Sequence, residues 1–220
     1  MIGGNRFAKL LVGALMAGTA VAAQGQNYSF SCVTNNRAAD CATGEAQFSL
    51  VVSDTGSVVN FTFANSGPGA SSITDIYFDW ASSAYALTPG VLTDSGAGVS
   101  FSWGASPPNL PGGKAISFVA DLATDSNNPT QPMGVNPGEW LNIAFTTSAD
   151  LVAGLNSEGL RVGIHTQGYQ GGGSESLVLS PIPEPETYAM LVTGLAFLGF
   201  EARRRKKLSS PLHRMGSAPA

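Results

Sequence analysis

The stretch EAQFSLVVSDTGSVVNFTFAN, residues 45–65, decides the fold class. On both sides of the SDTG turn, apolar side chains recur at every second position. This period of two is that of a β-strand with one buried face, and Ser, Asp and Gly favour tight turns. The stretch therefore predicts a β-hairpin. The residues predicted to share its buried face are Ala46, Phe48, Leu50 and Val52 in the first strand and Val59, Phe61 and Phe63 in the second.

The same alternation recurs towards the C-terminus in SSITDIYFDW, GVSFSW, AISFVADL, WLNIAFTT, LRVGIHTQ and ESLVLS. Loops rich in Gly and Pro separate these segments. Eight or nine short strands at this spacing predict an all-β body, an antiparallel β-sandwich or jelly roll, over residues 24–180. In SSITDIYFDW, alternation places Ile73 on one face with Asp75, Tyr77 and Asp79. One short helix is predicted within residues 149–157.

The first 23 residues are typical of a secretory signal peptide. Two basic residues precede the apolar run 10–23, which ends in small residues, so cleavage after Ala22 or Ala23 is expected. The alternative is an N-terminal core helix or membrane anchor. The run is short for a membrane span and is followed at once by polar residues. This favours the signal peptide, and therefore export with removal of residues 1–23 by signal peptidase.

The body is acidic. Residues 24–183 hold twelve acidic residues against three basic ones, Arg37, Lys114 and Arg161, a net charge of −9. A body with this charge does not bind nucleic acid by neutralising phosphates, and it lacks the basic face needed on anionic lipid. The dispersed acidic residues favour solubility, with binding of divalent cations as an additional possibility.

The two cysteines of the chain, Cys32 and Cys41, both follow the signal peptide. In an oxidising compartment they are expected to form one disulfide that closes a short loop. A redox pair or a metal site is the alternative, but a metal site needs further ligands nearby, and the sequence offers none there.

Catalytic patterns are weak. His165 is the only histidine of the body, and no Gly-x-Ser-x-Gly elbow surrounds a serine, so a structural or surface histidine is favoured over a catalytic base. Glu139 with a second carboxylate could form a glycosidase pair, although sequence gives no separation between carboxyl groups. No catalytic residue and no enzymatic activity are predicted.

A zinc site is excluded because the body has no histidine cluster. Calcium needs only oxygen ligands and is the remaining cofactor alternative, although no twelve-residue calcium loop is present. The candidate oxygen ligands form two groups, Asp121, Asp125, Asn127 and Asn128 in DLATDSNN, and the pair Asp75 and Asp79.

The tryptophans Trp80, Trp103 and Trp140 suggest a second possible function. An exposed tryptophan can stack on a sugar ring, as in a carbohydrate-binding module. We interpret all three as alternating in phase with apolar neighbours, which favours core packing instead.

The most specific pattern lies in PIPEPETYAMLVTGLAFLGFEARRRKK, residues 181–207. Three prolines keep its start extended, and a short apolar run follows, predicting a single transmembrane helix over residues 187–202. A basic cluster would hold the end of that helix in the cytoplasm. The motif residues are Pro183, Glu184 and Pro185, and the basic cluster is Arg203, Arg204, Arg205, Lys206 and Lys207.

This order resembles the PEP-CTERM sorting signal of exported bacterial proteins, and the N-terminal signal peptide adds to the resemblance. The resemblance implies processing near the Pro-Glu-Pro motif by an exosortase after a transient stay in the inner membrane, and an association with exopolysaccharide and biofilm matrix. The chain departs from the family pattern in its tail, residues 208–220. A Pro-rich linker before a permanent anchor is the alternative.

The sequence thus predicts an exported, non-catalytic protein of the cell surface or extracellular matrix, with a structural or adhesive role. A carbohydrate-binding module for exopolysaccharide is the first alternative, and a secreted hydrolase is the second. The predicted organisation is a signal peptide at 1–23, the β-body at 24–180, the sorting segment at 181–207 and a disordered tail at 208–220.

Overall fold

The computed structural model describes residues 25–96 and 98–181, and Thr193 and Leu195 as isolated positions. Within these residues no helix is both long enough and apolar enough to span a membrane. Several predictions lie outside the described residues: the cleavage site at Ala22 and Ala23, residues 183–185 and 203–207, the tail, and the helix 187–202 apart from Thr193 and Leu195.

The body is all-β and antiparallel, as predicted, and ten strands form one continuous sheet. Its order is β5-β8-β3-β2-β1-β10-β9-β4-β7-β6. The strands are β1 (Gln26–Cys32), β2 (Phe48–Asp54), β3 (Val58–Asn65), β4 (Ser72–Trp80), β5 (Val91–Asp94), β6 (Phe101–Trp103), β7 (Leu122–Ser126), β8 (Trp140–Thr146), β9 (Leu160–Gln167) and β10 (Ser174–Pro181). Two α-helices are present among the described residues, α1 (Ala38–Gln47) and α2 (Leu151–Asn156).

The predicted hairpin is confirmed by β2 and β3, in which Leu50 pairs with Phe63 and Val52 pairs with Phe61. These four side chains are fully buried. Ala46 is the exception, because it belongs to α1 and not to the strand. The strand begins at Phe48, where the backbone turns from helical to extended geometry.

The sheet curls until its two halves pack against each other. Four strands separate β3 from β4 in the sheet order, yet the rings of Phe61 and Phe78 lie 5.7 Å apart, edge to face. Phe145 of β8 meets Phe78 in the same way at 5.3 Å. The sheet is nearly closed, because Trp103 Nε1 on edge strand β6 donates to the oxygen of Gly90, just before the opposite edge strand β5, at 3.0 Å.

Strand β4 is buried on both faces, and the register of its pairing with β9 shifts between Ile73 and Asp75. This irregularity breaks simple alternation. Ile73 therefore packs in the main core with Ile76 and Phe78, whereas Tyr77 packs in a second, smaller core under a loop. The prediction that Ile73 shares a face with Asp75 and Tyr77 is wrong for this reason.

AISFVADL is not a strand. Residues Gly113–Ile116 form a 3₁₀ turn that ends at Ser117, which has a left-handed backbone, and β7 begins only at Leu122. Strands β1 and β5, helix α1, and strand β7 beyond its first residue, Leu122, were also not predicted from the sequence. By contrast, the predicted short helix is confirmed by α2, which begins where the Asp150 carboxylate accepts a hydrogen bond from the Ala153 N–H.

Candidate functional site

The predicted disulfide is present. It joins Cys32, at the end of β1, to Cys41 in α1, with Cα atoms 5.6 Å apart. The bond fastens the helix to the sheet. It also decides the chemistry of the sulfur atoms, since a cysteine in a disulfide is neither a thiolate nucleophile nor a thiolate metal ligand.

Glu175 lies beside this disulfide and is fully buried. Its carboxylate accepts hydrogen bonds from the N–H groups of Asn36 at 3.0 Å and Arg37 at 2.7 Å, and from Thr34 Oγ1 at 2.5 Å. The carboxylate thus satisfies donors at the start of α1, where negative charge is favourable. Glu175 was not identified from the sequence, because it lies more than a hundred residues along the chain from its partners.

The sulfurs of Cys32 and Cys41 and a Glu175 oxygen lie within 4.8 Å of one another, a spacing that suits a metal ion. With both sulfurs in a disulfide, thiolate ligation is not available there. The arrangement is a crosslink with a buried carboxylate that stabilises the start of the helix.

His165 lies in β9, and its Nδ1 is 3.2 Å from Ser176 Oγ on β10. Burial lowers the pKa of the imidazole, partly offset by Glu175, so the ring is neutral at neutral pH. Ser176 is fully buried, so a substrate has no access to its hydroxyl. The pair has the residue types of a Ser-His site but not the access that nucleophilic catalysis needs.

Glu139 closes a turn. Its Oε2 accepts hydrogen bonds from the backbone N–H of Asn136 at 2.9 Å and from Asn136 Nδ2 at 3.0 Å. These bonds hold the chain just before β8 and give the carboxylate a local structural task.

The predicted calcium ligands do not assemble in their two sequence groups. Asp79 forms an ion pair with Arg161, and Asp121 Oδ2 accepts the N–H of Trp80 at 3.0 Å. The Asn127 side chain binds Ser100 and Ser102, and Asn128 accepts from Thr130. Each of these four side chains is occupied by neighbouring protein groups.

One member of each group does meet the other. Asp75 on β4 lies directly opposite Asp125 on β7. Asp75 is buried, and Thr74 Oγ1 donates to its Oδ2 at 2.8 Å. Burial raises the pKa of both carboxyl groups. Because the two carboxyl groups lie opposite each other and burial raises the pKa of both, the pair tends to keep a proton at moderately acidic pH.

The three tryptophans have different surroundings. Trp80 and Trp103 are partly buried and pack on the main core, in line with the core interpretation. Trp140 instead has 38% of its surface exposed, on the outer side of β8. The inward residues of that strand are Leu141, Ile143 and Phe145, so Trp140 is out of phase with them and its predicted core packing is wrong. The alternation of residues 140–145 in the sequence already places Trp140 on the face opposite to Leu141, Ile143 and Phe145.

Trp140 belongs to an outward sheet surface that we call the Trp140 face, formed by β2, β3, β5 and β8. Among these described strands, no outward position carries an ionisable side chain. Its residues are Ser49, Val51, Ser53, Val58, Asn60, Thr62, Ala64, Val91, Thr93, Trp140, Asn142, Ala144 and Thr146. A surface of thirteen neighbouring outward positions without a charge is unusual on a body with a net charge of −9.

The middle of this face is an open concavity of about 410 Å³ with an ordered polar floor. Thr62 Oγ1 donates to Asn142 Oδ1 at 3.0 Å. Asn142 Nδ2 reaches Asn60 Oδ1 at 3.3 Å and Thr93 Oγ1 at 3.4 Å. Asn142 is therefore held in one orientation by its neighbours on β3 and β5, and Trp140 also lines the concavity.

Comparison of the chain with protein-family models, with curated proteins and with solved structures found no match in any of the three. The basis for a functional assignment is thus the chemistry of the residues described above.

Proposed function

We propose that the chain is an exported, non-catalytic protein of the cell surface or extracellular matrix with an adhesive or structural role. The observation that carries this proposal is the Trp140 face, an uncharged and partly aromatic surface on an otherwise acidic body. Surfaces of this kind, with an exposed aromatic residue among neutral polar groups, are typical of recognition sites.

The disulfide supports export. Disulfides persist in oxidising compartments and are rare in the cytosol. The Cys32–Cys41 bond therefore agrees with the signal peptide at residues 1–23. In this proposal signal peptidase cleaves the chain after Ala22 or Ala23, and the disulfide forms after translocation.

Sorting through the C-terminal segment is the second part of the proposal. Strand β10 ends at Pro181, two residues before the Pro183-Glu184-Pro185 motif, so the motif directly follows the folded body in the sequence. Residues 187–202 then hold the chain in the inner membrane as an intermediate, and the basic cluster 203–207 stops translocation. An exosortase acts at the motif and leads to surface or matrix delivery.

A non-catalytic role is supported by the state of the two groups that a hydrolase would need. Ser176, the hydroxyl nearest to His165 Nδ1, has no exposed surface. Glu139 is engaged with Asn136 in a turn. Ser176 is therefore closed to a substrate, and the Glu139 carboxylate has a structural role in its turn.

The proposal is tested by intact-mass and C-terminal peptide analysis of the protein in each cell fraction of its native host. A mature form that begins near Ala23 or Gln24, ends near Glu184 and occurs at the surface or in the matrix is expected. A form that retains residues 203–220 in the inner membrane would show a permanent anchor, and the matrix role would then be wrong. A chain that retains residues 1–23 in the cytoplasm would contradict export itself.

A further inference from the structure

We infer that the Trp140 face is a binding site for a neutral polysaccharide. The inference deepens the proposed function, on which its biological setting rests, by naming the ligand class. Three features carry it: the exposed indole of Trp140, the free polar groups around the concavity, and the placement of acidic side chains at the strand ends beside it.

The indole supplies an apolar platform. A pyranose ring has an apolar face of C–H groups that packs on the flat face of an aromatic side chain, while its hydroxyls bind polar groups around it. Trp140 is 38% exposed, and its Nε1–H donates no hydrogen bond among the described residues. The exposed part of the indole and an N–H donor without a described partner are thus available to a ligand.

Hydrogen-bonding groups lie at the right distance for an adjoining sugar. Trp140 and Asn142 point to the same side of β8, about 7 Å apart at the strand rise of ~3.4 Å per residue. Asn142 is held by Thr62, Asn60 and Thr93, so little side-chain entropy is lost on binding. Two further groups line the same concavity, the side-chain NH₂ group of Asn60 and the hydroxyl of Ser53. Neither has a hydrogen-bond partner among the described residues.

The charge pattern selects a neutral polymer. No outward position of these four described strands is ionisable, so the face offers no cation to a uronate or sulfate group. Asp54 and Asp94 end strands β2 and β5, and Glu139 directly precedes Trp140, which places negative charge at the margins. An acidic polysaccharide would be repelled by these groups and by the charge of the whole body.

A second copy of the chain is a poorer fit for the same surface. Five of the thirteen outward side chains are Val or Ala, and seven are Ser, Thr or Asn, whose groups would be desolvated in a protein interface. Interfaces between copies are instead apolar at their centre. Here the centre is the hydrogen-bonded row of Thr62, Asn142 and Thr93.

The test is affinity electrophoresis of the purified full-length chain in native gels that contain hydroxyethyl cellulose, xyloglucan, galactomannan or dextran. A gel with alginate is the anionic counterpart. We expect retardation by at least one neutral polymer and none by alginate. Trp140→Ala should weaken the binding about tenfold or more, and Asn142→Ala severalfold. The control is Val119→Ala, at an apolar side chain that is 63% exposed on a loop outside this face, and it should bind as the wild type does.

Thermal unfolding of each variant shows whether it is folded, and Trp140→Phe, which keeps a ring, should retain part of the binding. Retardation by alginate alone, by none of the neutral polymers, or equally in Trp140→Ala and wild type would overturn the inference. So would self-association in sedimentation runs without polysaccharide that is lost in Trp140→Ala. Because binding is measured on purified protein, its failure leaves the test of cell location unaffected, and the reverse also holds.

Discussion

Asp75 and Asp125 face each other on neighbouring strands, and the Oδ1 atom of each carboxyl group is buried with no hydrogen-bond partner in the described structure. Burial is the largest cause that raises the pKa of Asp75, from its ordinary value of 3.8 to about 6. The charge of Asp125 raises this pKa further, and the hydrogen bond from Thr74 lowers it. At neutral pH the fold thus holds an ionised Asp75 at a cost in free energy.

This cost predicts a pH dependence of stability. As the pH rises from about 4 to about 6, the unfolded chain releases the Asp75 proton first, so the free energy of unfolding falls over this range. In Asp75→Asn this contribution is absent. We expect the variant to be more stable than the wild type by roughly 1–3 kcal/mol at pH 7.5, with the difference shrinking towards pH 4. Urea unfolding at four pH values measures it.

His165 must be separated from this effect. Burial lowers its pKa below 6.5, so the unfolded chain binds that proton first and stability falls as the pH drops below 6.5. This slope has the opposite sign and is common to wild type and Asp75→Asn, so it cancels in their difference. Glu158→Gln, at an exposed carboxylate, is the control and should follow the wild-type profile. Parallel profiles for Asp75→Asn and wild type would mean that Asp75 titrates normally.

Alternation in the sequence was sufficient to predict the strands with one buried and one solvated face. Strands β2 and β3 are of this kind, and their inward side chains are those that the period of two selects. In β8 the strand was predicted but the phase assigned to Trp140 was wrong. Local sequence also determined α2, since Asp150 supplies its N-terminal cap. These features depend on neighbours in the sequence and are therefore readable from it.

Features that depend on distant residues were not readable. AISFVADL alternates like a strand, but Arg161 of β9 binds the carbonyl oxygens of Ile116 and Ser117, and the segment turns. The meeting of Asp75 and Asp125 likewise requires the register of β4 against β7, which alternation does not give. The same is true of Glu175 and its partners at the start of α1.

Removal of the disulfide should destabilise the body without unfolding it. The bond closes a loop between residues nine apart in the sequence, and the loop-entropy model gives about 2–3 kcal/mol for a loop of this length. We expect this loss in the Cys32→Ser/Cys41→Ser double variant, measured by urea unfolding. Dithiothreitol should lower the free energy of unfolding of the wild type to that of the double variant, and it should leave the free energy of unfolding of the variant unchanged. A wild type that is indifferent to dithiothreitol would contradict the crosslink.

Glu175→Gln tests the buried carboxylate at the start of α1. The substitution keeps the size of the side chain but replaces one acceptor oxygen with an NH₂ group. That group faces either the Arg37 N–H, which Oε1 accepts, or the donors of Asn36 and Thr34, which Oε2 accepts. The loss of charge-assisted hydrogen bonds in a buried site should lower the free energy of unfolding by about 1–3 kcal/mol. Glu158→Gln is the matched control and should change little. Equal stability of the two variants would show that the Glu175 charge is not needed.

Arg161 fastens the 113–119 loop to the sheet through several contacts of one guanidinium group. It pairs with Asp79 of β4, donates to the Ile116 oxygen at 2.9 Å and the Ser117 oxygen at 2.6 Å, and lies 5.3 Å from the centre of the Phe118 ring. Asp79 Oδ2 also accepts the Val119 N–H at 3.2 Å. The planar guanidinium group has several N–H donors in fixed positions and binds these acceptors at the same time. A lysine ammonium group at the end of a flexible side chain cannot replace this arrangement.

In Arg161→Lys we therefore expect faster amide hydrogen exchange at residues 117–119 and a loss of about 1 kcal/mol in the free energy of unfolding. Exchange in β2 and β3, on the other half of the sheet, should change much less. Arg37→Lys is the matched control, because among the described residues Arg37 donates one side-chain hydrogen bond, to the Gly171 oxygen at 2.9 Å. It should leave exchange at residues 117–119 as in the wild type. Unchanged exchange there in Arg161→Lys would mean that packing of Phe118 alone holds the loop.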